Sequence, residues 1–392
     1  MQRGRAAGPL AKWVRYYRTH LAIRFCGRMA WMGAAVDDQF RRFVAGLGGT
    51  VYACAPDVEE DQLFLASLQS AQSFFAWATE GRNARGFRCE VVAGYLERMT
   101  PNAWASWDGK THVIAMHQAL MATIVEFALF AFTQRELFPG IGAADGEDSP
   151  IAPGGEPPGL LLLMRTFAGA SVGGEADARR VPKDPDRYIA GIYLAMLMSR
   201  FVWLHELAHC FKGHVAQTGP GRLELTEFPE AAPLVVRREE RPHAGAARRL
   251  RLMEFEADDA AFDWGLRIQL EGHENIDGIK ALDLRTRLHM TMFASYAMTW
   301  LFEQYQRFAE VGHALTHPAP FDRLRALMQH ACAIKGLEPL TEQVGQDMNV
   351  LRRAIPVMHG WQPPSETDAY PTQAERQALA LALAPWRFDR TS

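Results

Sequence analysis

Cysteine is sparse in this 392-residue chain: Cys26, Cys54, Cys89, Cys210 and Cys332 are odd in number, scattered, and form no C-x-x-C pair. That pattern argues against both a disulfide framework and a cysteine zinc knuckle, and favours a reducing, cytoplasmic setting. Long apolar runs are missing too. The best, Ala119 to Phe132, is too short to span a bilayer and carries Glu126, so it predicts a buried helix. No signal peptide is read, because Arg24 and Arg28 interrupt the apolar stretch from Leu21 to Val36. The basic start leaves a peripheral membrane contact open. Charge of one sign is absent as well: 42 Lys+Arg stand against 45 Asp+Glu, a net of −3. No basic field points to nucleic acid. Internal repeats are not evident.

What is present is 48% apolar residues, enough for a sizeable core, in a pattern that predicts an α+β, mostly helical fold. Helical spacing recurs over 12–42, 57–79, 118–136, 186–214, 246–270 and 279–310, Pro318 and Pro320 open a further helix running to about Lys335, and a short helix lies near the end. Glu90 to Arg98 reads as a short helix or strand. Asp108-Gly109 reads as a hairpin turn before a strand over 111–116. Leu223 to Glu240 shows broken strand-like alternation. Three regions follow: an N-terminal helical region over 1–100, a core over 101–335, and a C-terminal helical extension and tail over 336–392. A Gly/Pro-rich stretch at about 138–185, with a short helix near 160–167, reads as an insertion or a lid.

The chemistry is concentrated in His205-Glu206-Leu207-Ala208-His209. Histidines four apart on a helix lie one above the other, so both rings reach one ion, and neutral imidazoles suit zinc. Glu206, one position after the first histidine, reaches a water on the metal rather than the metal itself, the place of a general base. The flanks Phe201, Val202, Trp203, Leu204, Leu207 and Ala208 predict a buried helix. Buried histidines need partners, which one zinc ion supplies.

A catalytic site wants a third protein ligand. His214 follows His209 by five and Gly213 is misplaced for a metzincin, so the ligand is sought in Glu254-Phe255-Glu256-Ala257-Asp258-Asp259. Glu254 and Asp258 share a face at i, i+4, whereas Glu256 points away. Glu254 is assigned as third ligand and Asp258 as the acceptor for a ligand-histidine N–H, with Glu256 or Asp259 as the fallback ligand.

The string from His205 to His214 resembles the H-E-x-x-H-x-x-x-G-H of the HtpX and CAAX-prenyl-protease family of gluzincin peptidases. Glu254-Phe255-Glu256-Ala257-Asp258 is similar to that family's E-[FY]-x-A-D. Asn102-Ala103-Trp104-Ala105 with Gly109, Val113, Ile114 and Leu120 resembles its cleft-side strand, and Thr316-His317-Pro318 with Arg323 and Leu327 its T-H-P…R…L segment. The phage-exclusion Lit-type peptidases, which act on an internal cellular protein, are similar in combining H-E-x-x-H with a later A-D motif. The family peptidases are membrane proteins, and Gln118-Ala119 stands where they often carry a glycine. The resemblance implies a zincin-like core: the H-E-x-x-H helix, a small sheet whose edge strand lines the cleft, and a following helix carrying the third ligand. It implies a zinc endopeptidase acting on a protein or peptide, with Glu254 on zinc, Asp258 behind a histidine, and His317 as a second electrophile or else a helix-capping or packing histidine. An extended substrate would pair with Val113, Ile114 and Ala115. Trp104 and Trp107 read as pocket or packing residues, Arg323 as a structural ion-pair partner, and Cys210 as an inert packed thiol. His112 and His117 read as strand-end polar residues. The tail from Trp361 either packs back through Trp386 and Phe388 or binds a partner. The alternative function is a metal-binding, non-proteolytic interaction module.

Overall fold

The computed structural model describes residues 38–54, 59–98, 101–148, 181–218, 244–271, 282–308, 318, 320–355 and 371–389. In chain order the elements are α1 (Asp38–Gly46), β1 (Val51–Tyr52), α2 (Glu59–Thr79), β2 (Arg82–Asn83), β3 (Val91–Leu96), β4 (Ala103–Trp107), β5 (His112–His117) and α3 (Gln118–Phe132). They continue as α4 (Pro185–Phe211), α5 (His214–Thr218), α6 (Ala244–Glu271), α7 (Leu284–Phe308), α8 (Pro320–Ala333), α9 (Glu338–Ala354), α10 (Gln373–Leu383) and β6 (Phe388–Asp389). The fold is α+β and mostly helical, with a small mixed sheet. Helical periodicity locates most helices within a few residues. The segments 12–37, 160–167 and 223–240 lie outside the described residues.

Helix α4 runs through the middle, with α2, α3, α6 and α7 packed around it. Its start is set locally. Asp184 caps it by accepting from the Asp186 and Arg187 amides, both at 3.0 Å, and Pro185 opens the first turn. Arg187, fully buried, then reaches back to the end of α3. Its guanidinium donates to the carbonyls of Phe132, Gln134, Leu137, Phe138 and Ile141 at 2.9 to 3.1 Å. One side chain thus satisfies carbonyls that the end of α3 and the following turn leave without helical partners. Farther along, Ser67 of α2 binds Ser199 at 2.7 Å and accepts from the Trp203 indole at 3.1 Å. Helix α4 is the described helix long and apolar enough to cross a membrane, but 89% of that stretch is buried inside the protein, as in a core helix.

The four-stranded sheet has the order β1-β3-β5-β4. Strands β3 and β5 run parallel, and the other pairs antiparallel. The β4–β5 hairpin closes as its sequence predicts: Asp108 accepts from the amides of Lys110 and Thr111 at 2.8 and 2.7 Å, and Gly109 takes φ 102°. His112 and His117 are the first and last residues of β5. Because β1 and β3 belong to the same sheet as β4 and β5, the boundary expected near residue 100 does not separate two cores, and the N-terminal hundred residues are not helical alone.

The C-terminal segment packs back on the body. Strand β6 pairs with β2, Trp386 lies against Trp107 at 5.9 Å, and Phe388 against Phe211 and His112. Cys54, Cys89, Cys210 and Cys332 are all free thiols. Cys210 is fully buried, and burial pushes its thiol well above the ordinary value.

Candidate metal centre

Helices α4 and α6 pack side by side and bring His205, His209 and Glu254 together. Their donor atoms lie within 4.8 Å of one another and all three side chains are buried. The Nε2 atoms of His205 and His209 are 3.0 Å apart. The Glu254 carboxylate places one oxygen 3.5 Å from His205 Nε2 and the other 3.4 Å from His209 Nε2. Tetrahedral ligands on bonds of ~2.1 Å stand about 3.4 Å apart, so these separations suit a single small ion between the three donors. The His–His–Glu group could hold a metal ion.

Behind each imidazole a polar group stands close to Nδ1. His205 Nδ1 sits 2.9 Å from Asp258 Oδ1. Asp258 in turn receives a two-pronged contact from Arg323 of α8, Nε to Oδ2 at 2.7 Å and Nη2 to Oδ1 at 2.6 Å. Burial alone would lower the His205 pKa, but the Asp258 and Glu254 carboxylates outweigh it and raise it to about 9. Burial likewise opposes the Asp258 carboxylate, yet Arg323 and His205 hold it below the usual range. Arg323 also feels the charges of Glu254 and Glu206, so the glutamate between the histidines belongs to the same buried electrostatic neighbourhood.

His209 is backed by a different group. Its Nδ1 is 3.0 Å from Nδ1 of His214, whose Nε2 is 3.1 Å from Glu256 Oε2. Arg387 then donates from one nitrogen to both Glu256 oxygens at 2.6 Å. On a continuous helix His214 would point away from His209. Helix α4 instead ends at Phe211, and Gly213 at φ +80° turns the chain so that His214 comes back beneath its neighbour. His214 stays outside the three-donor group, in keeping with its failed metzincin spacing, and the turn at Gly213 places it behind His209 instead.

Glu254 therefore joins the two histidines, and Asp258, on the same helical face, stands behind one of them. Glu256 and Asp259, the fallback ligands, lie elsewhere. Glu256 pairs with His214, while Asp259 binds Arg376 at 2.8 Å and lies 3.8 Å from His330. His317 lies outside the described residues. Val113, Ile114 and Ala115 call for correction as substrate-pairing residues: β5 is hydrogen-bonded to β3 on one side and β4 on the other. Strand β4 is the terminal strand beside α4, and β1 is the other. Trp104 is buried against Phe43, whereas Trp107 is only half-buried and meets Trp386.

No family model matches the chain, and neither the curated proteins nor the solved structures return a match.

Proposed function

We propose that the chain is a zinc-dependent endopeptidase. The observation that carries this reading is the three-donor cluster at tetrahedral spacing with a glutamate inside the same helical turn as both histidines. Two nitrogens and one carboxylate oxygen form the three-ligand set of catalytic zinc sites, which leave a fourth position for water or substrate. Zinc held there would supply an activated water and polarise the substrate carbonyl. The protein's own part is positioning. Asp258 and Arg323 hold the His205 ring, so that Nε2 faces the cluster, and Glu254 brings negative charge to it. Glu206 provides a carboxylate to hold the proton of the attacking water and pass it to the leaving amine, general acid–base work of roughly 10²–10⁴-fold. The substrate is proposed to be an extended protein segment, with pairing moved from β5 to the terminal strand β4.

The near-complete burial of the three donors is what favours the rival reading, a metal-binding module without hydrolysis. One variant separates the two. Glu206→Gln keeps the zinc stoichiometry measured by elemental analysis and abolishes cleavage of a casein or proteome-derived peptide mixture that the wild type cuts. Equal cleavage by Glu206→Gln defeats the mechanism, and no cleavage by zinc-loaded wild type leaves the module.

A further inference from the structure

Both histidines of the cluster are backed through Nδ1, but by unlike devices. Behind His205 the Asp258–Arg323 pair is sealed, with side chains 1% and 4% exposed. Behind His209 the series is longer and ends at the surface, because Glu256 and Arg387 are 22% and 23% exposed. His214 links the two ends. It is fully buried, so each ring nitrogen requires a partner, and His209 and Glu256 supply one each. With His209 Nε2 turned to the cluster as an acceptor, the consistent proton order has His209 Nδ1–H donating to His214 Nδ1 and His214 Nε2–H donating to Glu256.

Arg387 comes from the far end of the chain, 131 residues from Glu256. Several independent contacts put it there. Strand β6 pairs Arg82 with Asp389 and Asn83 with Phe388. The Arg85 guanidinium lies 3.6 Å over the Trp386 ring. The backbone of Trp386 approaches Gly213 so closely that a Cβ there would stand 2.8 Å from its carbonyl carbon. The glycine that swings His214 under His209 is thus also the glycine that admits the tail.

We infer that the C-terminal segment is a positioning part of the metal centre: Arg387 fixes Glu256, Glu256 fixes His214, and His214 sets the ring plane and tautomer of His209. This rests on the metal reading above. It goes beyond it in giving the tail a defined task, and in making His209 the ligand that loss of the Arg387 contact loosens.

The test measures zinc affinity by competition with a chromophoric chelator, and cobalt coordination by visible absorption, on the full chain. Arg387→Ala is expected to weaken zinc binding by about 10-fold or more and to alter the cobalt spectrum, the usual consequence of removing support behind a ligand histidine. Arg387→Lys restores most of that loss, since a single donor nitrogen suffices for the observed contact, and it carries the test should the alanine variant fold poorly. Arg248→Ala is the control: it removes a different anchor of the same segment, the 3.0 Å contact of Arg248 to Glu375, and should bind zinc as the wild type does. His214→Ala should lose at least as much as Arg387→Ala, and the double variant no more than His214→Ala alone, because the groups act in series. Wild-type affinity in Arg387→Ala, or an equal loss in Arg248→Ala, overturns the inference while leaving the metal reading intact. Failure of the wild type to bind zinc or cobalt at all removes the metal reading, and this inference with it.

Discussion

Replacing Glu254 with Ala takes away one of the three donors, whereas Glu256→Ala leaves all three in place and only frees His214. Chelator competition should therefore show near-complete loss of zinc in the first variant and a loss of about 10-fold in the second. The reverse order would transfer the ligand role to Glu256. His112 offers a test with no bearing on the metal. Its ring is fully buried, neither ring nitrogen has a hydrogen-bond partner, and it lies against Trp107 and Phe388. Burial pushes the imidazole down to about 4, although the nearby Glu90 backbone and the Asp108 charge work the other way. The unfolded chain, with an ordinary value of 6.5, takes up the proton first as the pH falls. The stability owed to the neutral ring is complete above pH 6.5 and is lost as the pH drops from there to about 4. His112→Phe keeps the ring packing without the titration, so the unfolding free energy from urea titrations should fall less between pH 7 and 4.5 in the variant, by about 2–3 kcal/mol. An identical decline in both proteins would mean that His112 is protonated in the folded state.

Among the elements, α4 depends most on its two ends. Gly213→Ala should destabilise the protein by about 2 kcal/mol, because an L residue is disfavoured at φ +80° and its Cβ would stand 2.7 Å from the Trp386 Cβ. Urea unfolding reads this directly; an unchanged midpoint would show that the turn relaxes freely. The same end of α4 marks where the sequence stops being readable. Spacing within one helix is geometry in disguise, which is why His205 with His209, and Glu254 with Asp258, are legible at i, i+4. His214 is not, since its placement depends on one left-handed residue rather than on a helical period. Sheet order escapes for a related reason. Alternation locates β5, but its parallel pairing with β3 crosses the hairpin made with β4, so a strand that reads as an edge is interior. Asp258 could be assigned behind a histidine from helical phase, while Arg387 could not be seen at all: contacts across 131 residues leave no local pattern.

At the scale of the whole molecule, the centre ties four separated stretches together: α4, α6, Arg323 of α8 and the segment carrying Arg387. There two imidazole nitrogens 3.0 Å apart and a carboxylate are buried together, an arrangement that a shared cation would stabilise. An ion that binds only the folded chain adds stability of RT ln(1 + [L]/Kd), about 4 kcal/mol at a thousandfold excess over Kd. Thermal melts with excess zinc should therefore run well above melts in chelator, and the gap should widen with free zinc. His209→Ala should melt at the same temperature in both buffers, because its centre can no longer bind tightly. Glu206→Gln should keep the full gap, since its carboxylate is assigned to the proton and not to the ion. If chelator strips the zinc by elemental analysis and the wild-type melt is unchanged, the ion sits somewhere other than between α4 and α6. If Glu206→Gln loses the gap along with His209→Ala, Glu206 is a ligand, and the division of work between the three donors and the base is wrong.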